Sequence, residues 1–242
     1  MTEFIIITPA YNCEKKIERT LFSVIGQTYK NWKLFLIDDM STDGTVDLVR
    51  KVTNSLSLND KIEIISREEK FGETRNTFDV VNKLDPNNVV VRLDAGDFIT
   101  DLGCLELLNE IYKTHNPAVL WTKHRWGFSG QNISGPIDSS VSLYQQPWRS
   151  SHMKTFRVKE FLGLNKNNFL DEDGNWIMIA CDQAVFLPMM ERARLKGRPL
   201  LFFDEVLYHY DIDLSDRELF TRDRSIHQKQ SAEMIRARGY IE

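Results

Sequence analysis

Three clusters of polar residues stand directly behind apolar runs in the first hundred residues. Thr8-Pro9-Ala10-Tyr11-Asn12 ends one such run. Asp38-Asp39-Met40-Ser41-Thr42-Asp43-Gly44-Thr45 ends a second, and Asp94-Ala95-Gly96-Asp97 a third. If the runs are strands of one sheet, an aromatic ring and two acidic pairs converge on one edge. Carboxylates brought together repel unless a cation or hydrogen-bond donors satisfy them. An ion held by carboxylates and phosphate oxygens is the natural occupant, and Mn2+ or Mg2+ suits an all-oxygen site. Asp182, in Ala180-Cys181-Asp182-Gln183, opens a predicted helix. Backbone N–H groups there favour the ionised carboxylate, which suits it to accept a proton.

The elements that must position these groups follow from hydrophobic period. Residues 4–8, 33–37, 62–66 and 89–93 are short apolar runs, as expected of strands buried on both faces. Residues 13–27, 42–56, 73–84 and 102–114 carry apolar positions at helical spacing, and Ser41, Thr42 and Asp43 are good caps. Residues 119–122 read as a fifth strand. This alternation predicts an α/β fold with a mostly parallel central sheet and helices on both faces. In such sheets ligands bind at the carboxyl ends of the strands. The second half is less regular. Residues 123–150 read as an irregular excursion, 159–164 as a short helix, 171–174 as a tight turn and 181–196 as a helix. Residues 200–203 and 206–210 read as short strands, and 217–238 as a polar helix.

The three clusters, in this order, resemble the family 2 glycosyltransferases of the GT-A (nucleotide-diphospho-sugar transferase) fold. Residues 3–100 match closely and 145–215 more loosely. The resemblance implies a nucleotide-sugar-binding half over 1–100, an acceptor-binding and catalytic half over 101–215, and a C-terminal helix over 216–242. It implies that Pro9 and Tyr11 line a uracil pocket, Tyr11 by stacking, and that Asp39 accepts from the uracil ring N–H. Arg75 matches the basic residue near nucleotide and diphosphate. Asp94 and Asp97 match positions that hold ribose and the metal, although Gly96 stands where many members carry a middle carboxylate. Asp182 matches the catalytic base, with Gln183 in place of a common acid. His152, Lys154 and Arg157 resemble a cationic loop that closes over the diphosphate, and His209 a third metal ligand or a diphosphate donor. Each has a plainer role open to it: a helix cap for Asp182, an exposed helix arginine for Arg75, a solvated loop for 152–157 and a packed ring for His209.

The implied activity is inverting transfer of a sugar from a nucleotide-sugar, UDP first, to a hydroxyl acceptor, a glycan before a protein, a lipid carrier or a nucleic-acid base. Trp121, Trp126, Trp148 and Trp176 offer faces for sugar rings. A sugar-phosphate nucleotidyltransferase would carry a glycine-rich phosphate loop after the first strand, and residues 8–14 contain no glycine. A non-catalytic sugar-nucleotide or glycan-binding module is the other alternative, motivated by Gly96. Across all 242 residues the net charge is −4, so no global basic field points to nucleic acid or an anionic membrane. No run of about 18 apolar residues suggests a bilayer span. Three scattered cysteines fit a reducing compartment, and the expected location is cytoplasmic.

Overall fold

The structure, a computed structural model, describes residues 1–127, 129–211 and 222–242. The first half alternates strand and helix: β1 (Phe4–Ala10), α1 (Glu14–Ile25), β2 (Trp32–Asp38), α2 (Thr45–Ser55), β3 (Ile62–Ser66), α3 (Gly72–Val81) and β4 (Val89–Arg92). There follow β5 (Phe98–Ile99), α4 (Cys104–His115), β6 (Val119–Trp126), β7 (Lys154–Arg157) and α5 (Val158–Phe161). A 3₁₀ turn (Lys166–Phe169), α6 (Cys181–Leu195), β8 (Leu200–Tyr210) and α7 (Arg222–Arg238) complete the described chain. The predicted start of the last helix at 217 lies outside the described residues.

The strands form one eight-stranded sheet in the order β3-β2-β1-β4-β7-β6-β8-β5. The first four are parallel neighbours. Side-chain alternation explains why they read as continuous apolar runs. Phe4 and Ile6 of β1 pack with α1, α2 and α4 on one face, whereas Ile5 and Ile7 pack with α3, α5 and α6 on the other. Each fully buried isoleucine or leucine contributes about 1.5–3 kcal/mol of transfer free energy.

Three expectations are corrected. Residues 200–203 and 206–210 are one strand, β8, with irregular register against β6 between Thr122 and His124. The strand expected at 119–122 runs on to Trp126. Most consequential, residues 154–157 are no loop. They form β7, antiparallel to both β4 and β6, with Arg92 opposite Lys154 and Val89 opposite Arg157. The reason is hydrogen bonding: β4 needs a partner on its outer edge, and β7 supplies it.

Candidate functional site

The carboxyl ends of β1, β2 and β4 lie side by side. Asp39 donates its backbone N–H to the Ala10 carbonyl (2.9 Å) and Ala95 donates to that of Pro9 (3.2 Å). The second acidic cluster stitches the loops after β1 and β2 together. Ser41 Oγ accepts from Asn12 N–H (2.9 Å), Thr45 Oγ1 from Cys13 N–H (2.9 Å) and Asp43 Oδ2 from Glu14 N–H (3.1 Å). These contacts account for the polar spacing of that motif and fix Tyr11 at its rim.

Tyr11 is 49% exposed, with the Lys70 ammonium 3.5 Å from its ring centroid. Pro9 is partly exposed beside it. Asp39 is buried and already engaged. Its carboxylate accepts from the N–H groups of Phe71 (2.9 Å) and Gly72 (3.0 Å) and from Asn76 Nδ2 (2.9 Å). It therefore caps α3 from a distance, satisfying helix N–H groups that have no intrahelical partner. Gly72 is required there: its φ is +71°, and a Cβ would lie 2.4 Å from Met178 Sδ. Arg75, half-exposed, lies over the Phe71 ring at 3.3 Å and near Glu69 and Asp79.

Asp94 and Asp97 diverge. Asp97 is 6% exposed, and both its oxygens are used, Oδ2 by Tyr208 O–H (2.6 Å) and Oδ1 by Asp211 N–H (2.9 Å). Burial and then the neighbouring Asp94 push its carboxyl well above the usual range. Gly96 between them has φ +102°, a conformation that disfavours any side-chain-bearing residue, and its N–H donates to Thr20 Oγ1 (2.9 Å). Asp94 stays partly open. Its Oδ1 accepts from Arg92 Nε (2.9 Å) and pairs with the Nη2 end of the same guanidinium, also at 2.9 Å. Arg92 is 3% exposed and also pairs with Glu73 (2.7 Å).

Asp182 lies in the first turn of α6 but does not cap it. Its Oδ1 is instead bonded by the ammonium of Lys154, a residue of β7 with no exposed surface. Burial works against the ionised Asp182, but Lys154 and then His152 outweigh it and hold the carboxyl well below the ordinary range. Burial, with Lys154 adding to it, pushes His152 down to about 4, so it is neutral at pH 7. Burial lifts Glu73 to about 7 against the pull of Arg92. Asp94, Asp182, Glu73 and His152 line a cleft of about 800 Å³ that Trp126, Trp148 and Tyr210 also line. Residues from the first half of α7, including His227 and Gln228, close one side.

Several expected residues are elsewhere. Arg157 sits opposite Val89, at the amino end of β4, and its guanidinium lies over Tyr112 at 5.1 Å. Strand direction carries it away from the edge that Lys154 occupies. His209 stacks on Phe98, centroids 4.4 Å apart, while its neighbour Tyr208 reaches Asp97. Alternation along β8 puts the two side chains on opposite faces. Trp121 is core, and Trp176 packs on Phe78. Among the described residues, no group of three histidine, cysteine or acidic side chains could hold a metal. Arg92 and Glu73 were not singled out from sequence. An arginine closing a Val-Val-Val run was the available signal, because a charge ending a buried strand needs partners.

The profile of the family described as Glycosyl transferase family 2 matches residues 5–178. Over 50 residues the chain is 46% identical to the UDP-Glc:alpha-D-GlcNAc-diphosphoundecaprenol beta-1,3-glucosyltransferase WfaP of Escherichia coli, covering 21% of this chain and 20% of that one. The first curated relatives are matched over about a fifth to a quarter of their own length. Among solved structures, Staphylococcus aureus TarS 1-349 in complex with UDP-GlcNAc superposes with a TM-score of 0.65 at 19% identity, over 95% of this chain and 65% of that one. The mannosyltransferase PcManGT of Pyrobaculum calidifontis, in complex with GDP-Man and Mn2+, gives 0.62 at 14%, over 95% and 62%. These likenesses show the GT-A fold.

Proposed function

The chain belongs to glycosyl transferase family 2, and from that premise we propose that it is an inverting glycosyltransferase using a UDP-sugar and a glycan hydroxyl. One observation carries the reading. A carboxylate at the head of α6 is kept ionised by a buried lysine and faces, across one cleft, the Asp94 carboxylate two residues beyond β4. That is a base opposite a nucleotide-binding edge.

Tyr11 and Asp39 hold uracil, the first by its face and the second through what acceptor capacity its capping role leaves. Lys70 and Arg75 flank that end. Asp182 Oδ2 takes the proton of the acceptor hydroxyl as its oxygen bonds to the anomeric carbon. The anomeric carbon–phosphate oxygen bond breaks, and its electron pair leaves with the diphosphate. A single displacement inverts the centre and needs no covalent nucleophile. Trp126 and Trp148 offer aromatic faces in the cleft for acceptor sugar rings.

A divalent cation, Mn2+ or Mg2+, is the family's expected cofactor. The described residues do not build a three-ligand centre for it. Asp97 is spent on Tyr208 and Asp211, and His209 on Phe98. Asp94 Oδ2 is the acidic oxygen that fits, together with diphosphate oxygens and retained waters. An ion held there would supply positive charge to the leaving group. No helix of the described chain is long and apolar enough to cross a membrane.

The test is UDP release from a panel of UDP-sugars with mixed oligosaccharide acceptors, followed by NMR of the product's anomeric coupling. A product whose anomeric configuration is opposite to the donor's is expected. Retention of configuration, or no binding of any UDP-sugar, overturns the reading.

A further inference from the structure

The two carboxylates that face the cleft are held alike. Asp94 has Oδ1 taken by buried Arg92, and Asp182 has Oδ1 taken by buried Lys154. In each, Oδ2 is left toward the same atom, Nε2 of His152, at 4.0 Å from Asp94 and 3.9 Å from Asp182. Both separations are too long for a hydrogen bond. They suit a small group inserted between the partners.

The imidazole is clamped. It stacks on Tyr208 with centroids 4.7 Å apart and planes at 14°, meets His124 edge-on at 6.1 Å and lies 5.5 Å from Tyr210. Its Nδ1 is buried and has no hydrogen-bond partner among the described residues. A ring with one unpartnered nitrogen and the other facing two carboxylate oxygens keeps its proton on the second. His152 thus points an Nε2–H at the gap between Asp94 and Asp182. A group filling that gap must accept from the imidazole and donate to a carboxylate. A hydroxyl does both.

We propose that His152 is a sugar-binding residue whose Nε2–H donates to a ring hydroxyl of the transferred sugar, while that hydroxyl donates its own proton to Asp94 Oδ2. This rests on the transferase reading above and goes beyond it. The transferred sugar is the one part of the substrates that must lie between the two carboxylates. It leaves a diphosphate on the Asp94 side and receives an oxygen on the Asp182 side, whose Oδ2 stays free for the acceptor proton. His152 then reads the sugar and does not serve as a diphosphate cation.

The test is calorimetry on the full chain with UDP and with UDP-glucose, UDP-N-acetylglucosamine, UDP-galactose and UDP-glucuronic acid. Two variants are compared after thermal melting shows them folded: H152F, which keeps a ring on Tyr208 but has no N–H, and H152Q, which keeps a donor. Wild type is expected to bind one UDP-sugar more tightly than UDP. H152F should bind UDP within about twofold of wild type and lose about tenfold for that UDP-sugar, the equivalent of one hydrogen bond. H152Q should recover part of it. An H152F variant that keeps the sugar's extra affinity, or loses UDP and UDP-sugar equally, overturns the proposal. So does a wild type that binds UDP-sugars no better than UDP, in which case UDP release with an acceptor still upholds the transferase reading. A wild type that binds neither sinks both.

Discussion

The ammonium of Lys154, with no exposed surface, ends on Oδ1 of Asp182, bridging strand β7 and helix α6. The pair explains how a carboxylate in a crowded acidic cleft stays ionised.

Removing either partner should therefore have separable effects. Asp182→Asn should cut turnover by roughly 10²–10⁴-fold, the range for losing a general base, with UDP affinity nearly unchanged. Lys154→Met should also cut turnover and should cost about 1–3 kcal/mol of stability. That is below the cost of breaking a fully buried pair, because the Asp182 side chain is 31% exposed. The double variant should be more stable than Lys154→Met alone. Denaturant melts and steady-state rates check this, and strict additivity would show that the two residues do not act as a pair.

Asp94 and Asp97, equivalent in a reading of the motif, should behave as different residues. Asp97→Ala leaves the buried Tyr208 hydroxyl and the Asp211 N–H without an acceptor, so it should lower stability by about 1–3 kcal/mol. Asp94→Ala should keep the melting temperature closer to wild type and lose most UDP-sugar binding in Mn2+, with a smaller loss in chelator. Equal binding losses with no stability loss for Asp97→Ala would restore Asp97 as a ligand.

Tyr11 offers the cleanest test of the nucleotide pocket, since its exposed ring touches Lys70 and carries no core packing. Tyr11→Ala should leave stability within about 0.5 kcal/mol and weaken UDP by about 1–3 kcal/mol through the lost stack. Asp39→Ala is less clean, because it also uncaps α3. Unchanged UDP affinity in the Tyr11 variant would move the pocket elsewhere.

Two groups of the cleft should tilt stability against pH in opposite senses. His152 titrates near 4 when folded and near 6.5 when its side chain is free in water. Between those values the unfolded chain holds the extra proton, so stability rises with pH, by at most about 1.4 kcal/mol per unit for one proton. Glu73 goes from 4.5 to about 7. Through that window the folded state holds the proton, so stability falls as pH rises. Replacing His152 by Gln should thus flatten the rise between pH 4 and 6.5, and Glu73→Gln should steepen it. The groups facing His152 are Lys154, Asp182, Asp94 and His124. Urea midpoints at half-unit pH steps read out both slopes.

The parallel half of the fold was legible because period and turn chemistry agree there. The strand and helix positions over residues 1–115 lie close to where apolar spacing puts them. Residues 154–157 were not legible as a strand, because Lys-Thr-Phe-Arg is only four residues long and carries a charge at each end. Only the open edge of β4 and the carboxylate of Asp182 turn that lysine inward. Asp182, Asp94 and His152 do share one cleft. Asp97 and His209 do not join them, because spacing along a motif says nothing about which face of a strand or turn a side chain takes. Arg157 misses the edge for another reason, the direction in which β7 runs.

The antiparallel placement of β7 also bears on how the chain is made. Strands β1 to β4 leave the ribosome before residues 154–157 and can pair with one another, but the outer edge of β4 waits for that later segment. At about 5–20 residues per second, that edge stays open for on the order of seconds. Its sequence, Val-Val-Val-Arg, is apolar on both faces apart from its last residue. An unpaired apolar edge is a template for the wrong neighbour. Arg92 sets a charge at the end of that edge, the kind of residue that discourages such pairing, and in the folded chain the same guanidinium clamps Asp94.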